Sequence, residues 1–164
     1  MRAFKTELDG VMLLTPKIYE DFRGTNHESY NEAEYEKVTN TKFIVDSIST
    51  SRKHVLRGIH GDYRTTKLIS CLYGEIYFVV INMNRDSPQY LHWQDFTLTE
   101  RNKHQVLVPP GFGNGHLVMS DNAVFSYKLD QYYDRDSQFT VKWDDDIHNI
   151  WWPVGNPILS LRDS

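Results

Sequence analysis

Short runs in which apolar and polar residues alternate recur along the chain, and this period of two residues predicts β-strands. The run 123–131 shows it most clearly, because Phe125, Tyr127 and Leu129 fall on one face of an extended chain. We expect that face, with the Tyr127 hydroxyl, to point into the protein. Further runs of strand-like composition occur at 43–49, 68–81, 93–99, 105–108, 116–119 and 139–143.

Helical patterns are scarce in this sequence. Residues 31–39 can form one short helix, with Asn31 as the N-cap and Glu34 at the third helical position. Turn-forming residues separate the strand-like runs at 85–88, 99–102, 109–111 and 120–122. Many short strands with little helix predict an all-β sandwich or barrel. Because there is no internal repeat and no linker-like stretch, we expect residues 1–164 to form a single domain.

The composition then excludes several classes of function. The formal net charge is −4 and the basic residues form no run, so a nucleic-acid-binding surface is not expected. Cys71 is the only cysteine, which excludes an intramolecular disulfide and a cysteine-based zinc site. The first residues become charged before any stretch long enough for a signal peptide, and no segment has the length and apolarity to span a bilayer. We therefore expect a cytoplasmic protein without a membrane partner.

The segment 55–60, Val-Leu-Arg-Gly-Ile-His, carries the clearest chemistry. The guanidinium of Arg57, the imidazole of His60 and, after a short loop, the ammonium of Lys67 lie close together in the chain. Strand alternation places Lys67 on the same face as Ile69, and a buried lysine nearly always has a partner. This cluster indicates a site that binds an anionic substrate and moves a proton.

Each candidate residue has a simpler interpretation when it is taken alone. Tyr127 can fill the core, His60 can be a buried histidine with a protein partner, and Arg57 can form a surface ion pair. Asp163, close to the end of the sequence, can be a solvated residue in a frayed terminus. A catalytic role is favoured only when these residues are taken together with further motifs in a fixed order.

That ordered series resembles the nucleotide-sugar epimerases typified by dTDP-4-dehydrorhamnose 3,5-epimerase, which belong to the cupin superfamily. The similarity extends over nearly the whole chain. Its motifs are Asp-Phe-Arg-Gly at 21–24 with Glu28, Leu-Arg-Gly-Ile-His at 56–60, Lys-Leu at 67–68, Tyr-Gly-Glu at 73–75, Asp-Ser-Pro at 86–88, Pro-x-Gly-Phe at 109–112, Tyr-Lys at 127–128, Tyr-Tyr at 132–133, Trp-Asp-Asp at 143–145, Trp-Pro at 152–153 and Leu-Ser-x-x-Asp at 159–163.

The resemblance implies an all-β, cupin-type jelly roll with one or two short helices, in a homodimer that exchanges strands. It also implies inversion of C3, C5 or both in a nucleoside-diphosphate 4-keto sugar, without a metal or cofactor. Such sugars are built into surface polysaccharides such as capsule or lipopolysaccharide. Inversion of a carbon needs two proton-transfer groups on opposite faces and stabilisation of an enolate, and histidine and tyrosine have suitable pKa values for the two groups.

The matching positions imply a role for each residue. His60 would be the base that removes the carbon-bound proton, Asp163 the carboxylate that orients it, and Tyr127 the acid on the opposite face. Lys67 would stabilise the enolate. The resemblance also implies contacts with the diphosphate, nucleotide or sugar from Arg57, Arg23, Glu28 and Tyr133.

Two departures from the family's pattern lie beside the predicted pocket. Asn114 stands where typical members and metal-binding cupins have a histidine, and the His-x-His pair of metal-binding cupins is missing around His60, so we predict no catalytic metal. His116 lies two residues beyond Asn114 and is expected on the same face. Asn114 and His116 are therefore candidate substrate contacts, although packing is an equally good interpretation of His116.

The second departure is at Gly61 and Asp62, where typical members have an aromatic residue and a glutamine. A missing aromatic side chain at Gly61 is expected to leave room for a larger hexose or a heptose, with Asp62 as a further substrate contact. This part of the sequence resembles a branch that includes epimerases of GDP-linked 4-keto heptoses. The nucleotide can therefore be GDP or dTDP.

Two other functions are compatible with these residues. A 3,4-ketoisomerase on the same fold would move the carbonyl group, and the structure of its product distinguishes it from an epimerase. A sugar- or nucleotide-binding jelly roll without activity would bind substrate but exchange none of its protons. The second alternative is less favoured, because a binding module needs neither the acid nor the base.

Overall fold

The computed structural model describes all 164 residues, and nearly all of its regular structure is β-sheet. Its elements in chain order are β1 (Arg2–Lys5), β2 (Met12–Thr15), β3 (Ile18–Asp21), β4 (Gly24–His27), α1 (Glu32–Tyr35), β5 (Val45–Arg52), β6 (Leu56–Gly61), β7 (Lys67–Tyr73), β8 (Glu75–Asn82), β9 (Trp93–Thr99), β10 (Gln105–Val108), β11 (Phe112–Val118), β12 (Asn122–Leu129), a 3₁₀-helix (Arg135–Ser137) and β13 (Phe139–Thr140). None of the helical segments has the length and apolarity that a membrane crossing requires.

The strands form two antiparallel sheets and a separate hairpin. The first sheet has the order β1-β2-β10-β7-β12-β5, and the second has the order β13-β6-β11-β8-β9. The hairpin consists of β3 and β4. Strands that are neighbours in each sheet are largely distant in sequence, as in the jelly roll that the resemblance implied.

The main apolar core lies between the two sheets. Ile69, Val106 and Phe125 contribute to it from the first sheet, and Phe78 and Leu98 contribute from the second. Because side chains alternate along each strand, the residues between these positions face away from the core, while inward-facing positions towards the open end of the sandwich line a cavity. The cavity described below lies at that end.

The C-terminal segment covers the outer face of the second sheet. Ile150 and Trp152 pack there in a second apolar cluster with Leu56 and Tyr77. The chain then passes beside the start of β6, where the Ile158 carbonyl accepts a hydrogen bond from the Leu56 amide at 3.0 Å. This path brings the last residues of the chain next to β6.

The sequence patterns located most of the strands. The runs at 93–99 and 105–108 are confirmed as β9 and β10, and the run at 123–131 overlaps β12 in all but its first residue. The long run at 68–81 was wrong as one strand, because Gly74 adopts a φ of 76° and turns the chain between β7 and β8. The helix begins after its N-cap Asn31 as expected, but α1 has only four residues.

Candidate active site

A cavity of about 390 Å³ lies between the open ends of the two sheets. Its walls come from β6 and β11 of the second sheet, from β7 and β12 of the first sheet, and from the C-terminal segment. Most of the predicted site residues line it, namely Arg57, His60, Asp62, Lys67, Asn114, His116, Tyr127, Tyr133 and Asp163.

His60 and Asp163 form a hydrogen-bonded pair in the cavity wall. The His60 Nε2 and Asp163 Oδ1 atoms are 2.6 Å apart, and the Asp163 residue is only 6% exposed. The other carboxylate oxygen, Oδ2, accepts hydrogen bonds from the Ser160 hydroxyl at 3.0 Å and from the Gly58 amide at 3.4 Å. These contacts fix the carboxylate, and the carboxylate in turn fixes the imidazole ring.

This pairing determines which nitrogen of His60 can act as a base. Because the carboxylate accepts the proton on Nε2, the neutral ring carries its free lone pair on Nδ1. Burial lowers the pKa of His60 below its ordinary value of 6.5, although the Asp163 charge opposes this shift. The ring is therefore mostly neutral at pH 7 and able to accept a proton.

Tyr127 enters the cavity from the sheet opposite to His60. It lies on β12 in the first sheet, whereas His60 lies on β6 in the second. Its ring packs against Phe125 with 5.4 Å between the ring centroids. The predicted inward face of this strand is confirmed, since Phe125, Tyr127 and Leu129 all line the cavity. A proton donor and a proton acceptor thus face one space from two sides.

Lys67 is a buried cation without a carboxylate partner in hydrogen-bonding contact. It is 9% exposed, and its Nζ donates to Asn114 Oδ1 at 2.7 Å and to the His60 carbonyl at 3.4 Å. Burial lowers the pKa of Lys67 to about 8, with the nearby Asp62 charge acting in the opposite direction. The positive charge therefore lies inside the cavity, where it can meet a developing negative charge.

Two arginines add positive charge to the cavity wall. Arg57 Nε donates to the Ser51 hydroxyl at 2.9 Å, and Arg162 donates to the Thr140 hydroxyl at 3.4 Å. Neither guanidinium forms a salt bridge, so both are available to an anionic ligand. Arg162 was not among the predicted site residues, although it directly precedes Asp163 in the sequence.

His116 lies deep in the cavity wall and is neutral. Its ring stacks on Phe125 with 4.0 Å between centroids and an interplanar angle of 14°. The residue is 3% exposed, and burial is the main cause that lowers its pKa to about 3. The ring packs on a core residue and also lines the cavity, and its contact with a substrate stays a prediction.

Asp62 has its carboxylate occupied by neighbouring protein groups. Oδ1 accepts from the amides of Arg64 and Thr65, and Oδ2 accepts from the Thr65 hydroxyl and from Gln138 Nε2. Burial opposes ionisation of Asp62, but these hydrogen bonds hold its pKa below the usual range. Asp62 lines the cavity, yet its hydrogen bonds show that it fixes the loop before β7 and links that loop to the segment before β13.

Arg23 and Glu28 lie outside the cavity that the other predicted residues share. Arg23 is at the exposed tip of the β3–β4 hairpin and pairs with Asp21 at 2.6 Å. Glu28 follows β4 and accepts a hydrogen bond from Asn31 Nδ2 at 3.0 Å. Within one chain, the structure does not bring these two residues to the site.

The expected open space at Gly61 is contradicted by the structure. Because the His60 side chain points into the cavity, the next residue faces the other side of the sheet. A Cβ atom on Gly61 would meet the Phe112 carbonyl oxygen and lie 2.6 Å from the Phe139 ring. Phe139 of β13 thus occupies the space beside Gly61, and the glycine does not enlarge the cavity.

Several cavity residues were missed by sequence reasoning. Ser160 could have been found through its place in the matched Leu-Ser-x-x-Asp motif, and Arg162 through its position within that motif. No local pattern marks the others, because the fold alone brings them to the wall: Ser49, Thr65, Gln131, Asp134 and Gln138.

Comparison with known proteins shows the family of this chain. The family model described as dTDP-4-dehydrorhamnose 3,5-epimerase matches residues 5–164. The dTDP-4-dehydrorhamnose 3,5-epimerase of Shigella flexneri is 38% identical, with 99% of this chain and 93% of that protein covered. The chain belongs to the dTDP-4-dehydrorhamnose 3,5-epimerase family, which confirms the resemblance seen in the sequence and the predicted isomerase class.

Solved structures of relatives have the same fold. The enzyme of Legionella pneumophila in complex with dTDP-4-keto-L-rhamnose is 35% identical, with a TM-score of 0.94 over 99% of this chain and 89% of that chain. NovW, a 4-keto-6-deoxy sugar epimerase of Streptomyces spheroides, is 29% identical, with a TM-score of 0.94 over 99% and 84% of the two chains. The predicted all-β, cupin-type jelly roll is therefore confirmed.

Proposed function

We propose that this protein inverts a carbon next to the C4 ketone of a nucleoside-diphosphate 4-keto sugar. One observation carries the proposal: His60, paired with Asp163, and Tyr127 enter a single cavity from two facing sheets. Inversion requires proton removal from one face of the carbon and proton delivery to the other. A protein that only binds the sugar would need neither the base nor the acid, whereas inversion without a metal needs both.

The reaction begins with proton removal. Nδ1 of neutral His60 takes the proton from the carbon beside the ketone, and the electron pair of the broken C–H bond moves onto the C4 oxygen as an enolate. The Lys67 ammonium stabilises that oxygen charge, in a cavity where water competes little. Asp163 holds the resulting imidazolium in place through Nε2.

The reaction ends with proton delivery from the opposite face. The Tyr127 hydroxyl donates its proton to the carbon as the enolate electrons return, and the carbon is inverted. Tyr127 is left as a phenolate and His60 as an imidazolium, and exchange with solvent restores both groups. Each complete inversion at His60 and Tyr127 therefore introduces a solvent-derived proton at that carbon.

The diphosphate and the nucleobase of the substrate would bind to charged and aromatic side chains at the cavity mouth. Arg57 supplies a guanidinium without a salt-bridge partner for the diphosphate, since guanidinium groups bind phosphate oxygens in pairs. The exposed rings of Tyr132 and Tyr133 line the rim and can stack against a nucleobase.

We assign Arg23 and Glu28 to the site of a second copy in a strand-exchanged homodimer. The β3–β4 hairpin pairs with no other strand, and a two-stranded hairpin by itself has little stability in water. Phe22 at its tip is 98% exposed, which is unusual for a phenylalanine without a partner surface. Packing of the hairpin on a second copy would bury Phe22 and bring Arg23 to the neighbouring cavity.

For the nucleotide, dTDP is the first choice, because the names of the Shigella flexneri and Legionella pneumophila relatives include dTDP-linked sugars. The structure removes the Gly61 argument for a heptose, and a GDP-linked 4-keto heptose remains the alternative substrate. Either product would serve the synthesis of surface polysaccharides.

The test is incubation with a panel of dTDP- and GDP-linked 4-keto sugars in deuterated water, followed by NMR. We expect deuterium at C3, C5 or both, with inversion at the labelled carbon. A product with its carbonyl at C3 would identify a 3,4-ketoisomerase instead. Binding by calorimetry without any deuterium uptake would identify an inactive binding protein.

A further inference from the structure

The contact between Lys67 and Asn114 shows how the cavity keeps a cation. Asn114 on β11 pairs directly with His60 on β6, and the register of these strands shifts just after Asn114. Its side-chain oxygen accepts from Lys67 Nζ at 2.7 Å, the shortest contact of that ammonium. Asn114 thus contacts the cation of the proposed site and lies beside its base on the neighbouring strand.

The chemical nature of the acceptor matters here. A side-chain amide oxygen satisfies a donor of the buried ammonium but carries no charge, so the positive charge in the cavity is kept. A carboxylate at the same place would form an ion pair and neutralise it. The other carboxylate beside Lys67, Asp62, has both oxygens occupied by the protein groups described above.

The remaining groups around the cavity do not replace this contact. Titratable and charged side chains face the cavity from every surrounding element. They are Arg57 and His60 of β6, Asp62 of the following loop, His116 of β11, Tyr127 of β12, Tyr132, Tyr133 and Asp134 of the segment after β12, and Arg162 and Asp163 of the C-terminal segment. None of these side chains forms a hydrogen bond or salt bridge with Lys67 Nζ.

We propose that Asn114 is a positioning residue that holds the Lys67 ammonium in the cavity as an unneutralised cation, aimed at the enolate oxygen. This rests on the proposed function. It also gives a physical reason for an uncharged acceptor at this position: the amide oxygen offers a lone pair without a negative charge.

The test compares Asn114→Asp with Asn114→Leu in pH profiles of substrate deuterium exchange. With aspartate, we expect the alkaline limb to move up by about one pH unit, because the ion pair favours the charged lysine. The maximal exchange rate should fall by about a hundredfold, because the cation is neutralised. With leucine, we expect the alkaline limb to move down, because the buried ammonium loses its acceptor.

The controls separate this inference from the proposed function. Asn40→Asp adds the same charge at an exposed residue that makes no side-chain hydrogen bond, and it should leave the profile unchanged. The role of Asn114 would be overturned if the alkaline limb of the pH profile stayed in place in both Asn114 variants, or moved in the same direction in both. If one of the two Asn114 variants does not fold, the direction in which the alkaline limb moves in the other variant supports or overturns the role of Asn114. Absence of exchange in the unmodified protein would instead overturn the proposed function.

Discussion

The pairing of His60 with Asp163 joins two residues that are far apart in the sequence. Asp163 is held by the Ser160 hydroxyl and the Gly58 amide, so its carboxylate has a fixed direction towards Nε2. A fixed carboxylate does two things for a histidine base. It selects the tautomer with a free Nδ1, and it stabilises the imidazolium once the proton has been taken.

Asp163→Asn tests this pairing at the level of one residue. We expect kcat to fall by about 10³–10⁴-fold, because an amide can present its NH₂ group to Nε2 and select the wrong tautomer. Since the Asp163 charge raises the pKa of His60, the acidic limb of the profile should also move to lower pH. The control is Asp121→Asn, an exposed aspartate in the turn before β12. Equal activity of the two variants would contradict the pairing.

The pH profile of the unmodified protein tests the two titrating groups together. Activity should rise with pH as His60 loses its proton, with a midpoint below 6.5 because burial lowers its pKa. It should fall again near pH 8 as Lys67 loses its proton and its charge. The measurement is kcat/KM from pH 5 to pH 10, and Lys67→Met should remove most activity. A profile that stays flat from pH 7 to pH 10 would contradict the role of Lys67.

At the level of the elements, the strand with the clearest alternation was predicted best. The period of two along β12 placed Tyr127 in the cavity without further information. Strand β6 was missed as a strand because Arg57, Gly58 and His60 interrupt its apolar residues. The edge strand β1 and its neighbour β2 were also missed, since neither Arg-Ala-Phe-Lys nor Met-Leu-Leu-Thr alternates and both are poor in the β-branched residues typical of strands.

The site itself depended on contacts that no local pattern contains. Asp163 reaches His60 only because the C-terminal segment crosses the second sheet and runs beside β6. The family resemblance predicted this pair, but the periodicity of the chain did not. Likewise, the space beside Gly61 is filled by Phe139, which is distant in sequence and could not be foreseen from the glycine alone.

Gly61→Ala tests the packing of β13 on β6. We expect a loss of about 1–3 kcal/mol in the free energy of unfolding, because the added methyl group meets the Phe112 carbonyl and the Phe139 ring. Gly155→Ala is the matched control, since its Cβ would have no neighbour within 4 Å. Urea denaturation of both variants gives the comparison. Equal stability of the two would show that the space beside Gly61 is open.

At the level of the whole molecule, one chain does not complete the proposed site. The β3–β4 hairpin places Arg23 away from the cavity of the same chain. Phe22 at the hairpin tip is exposed, which favours packing against a partner surface. A symmetric dimer would give each cavity an arginine from the other copy. In the proposed dimer, Arg23 and Glu28 would make their predicted contacts in the cavity of the other copy.

Mixing of two inactive variants tests this exchange. Arg23→Ala and His60→Asn should each have little activity alone. In mixed dimers one of the two cavities has both residues intact, so an equal mixture should recover about a quarter of the original activity. The two variants must be co-expressed or refolded together so that mixed dimers form. As a control, Lys53→Ala replaces Arg23→Ala in the mixture; Lys53 is an exposed cation, and this variant should be active by itself. No recovery in the mixture would contradict hairpin exchange.

In the proposed reaction, His60 and Tyr127 move protons on opposite faces of one carbon. NMR of the substrate in deuterated water with Tyr127→Phe and His60→Asn tests it most directly. We predict that Tyr127→Phe still exchanges the substrate proton for deuterium but no longer inverts the carbon, because removal of the proton remains possible and delivery to the other face does not. His60→Asn should neither exchange nor invert. Inversion at an unchanged rate in either variant would contradict the role of the substituted residue in proton transfer.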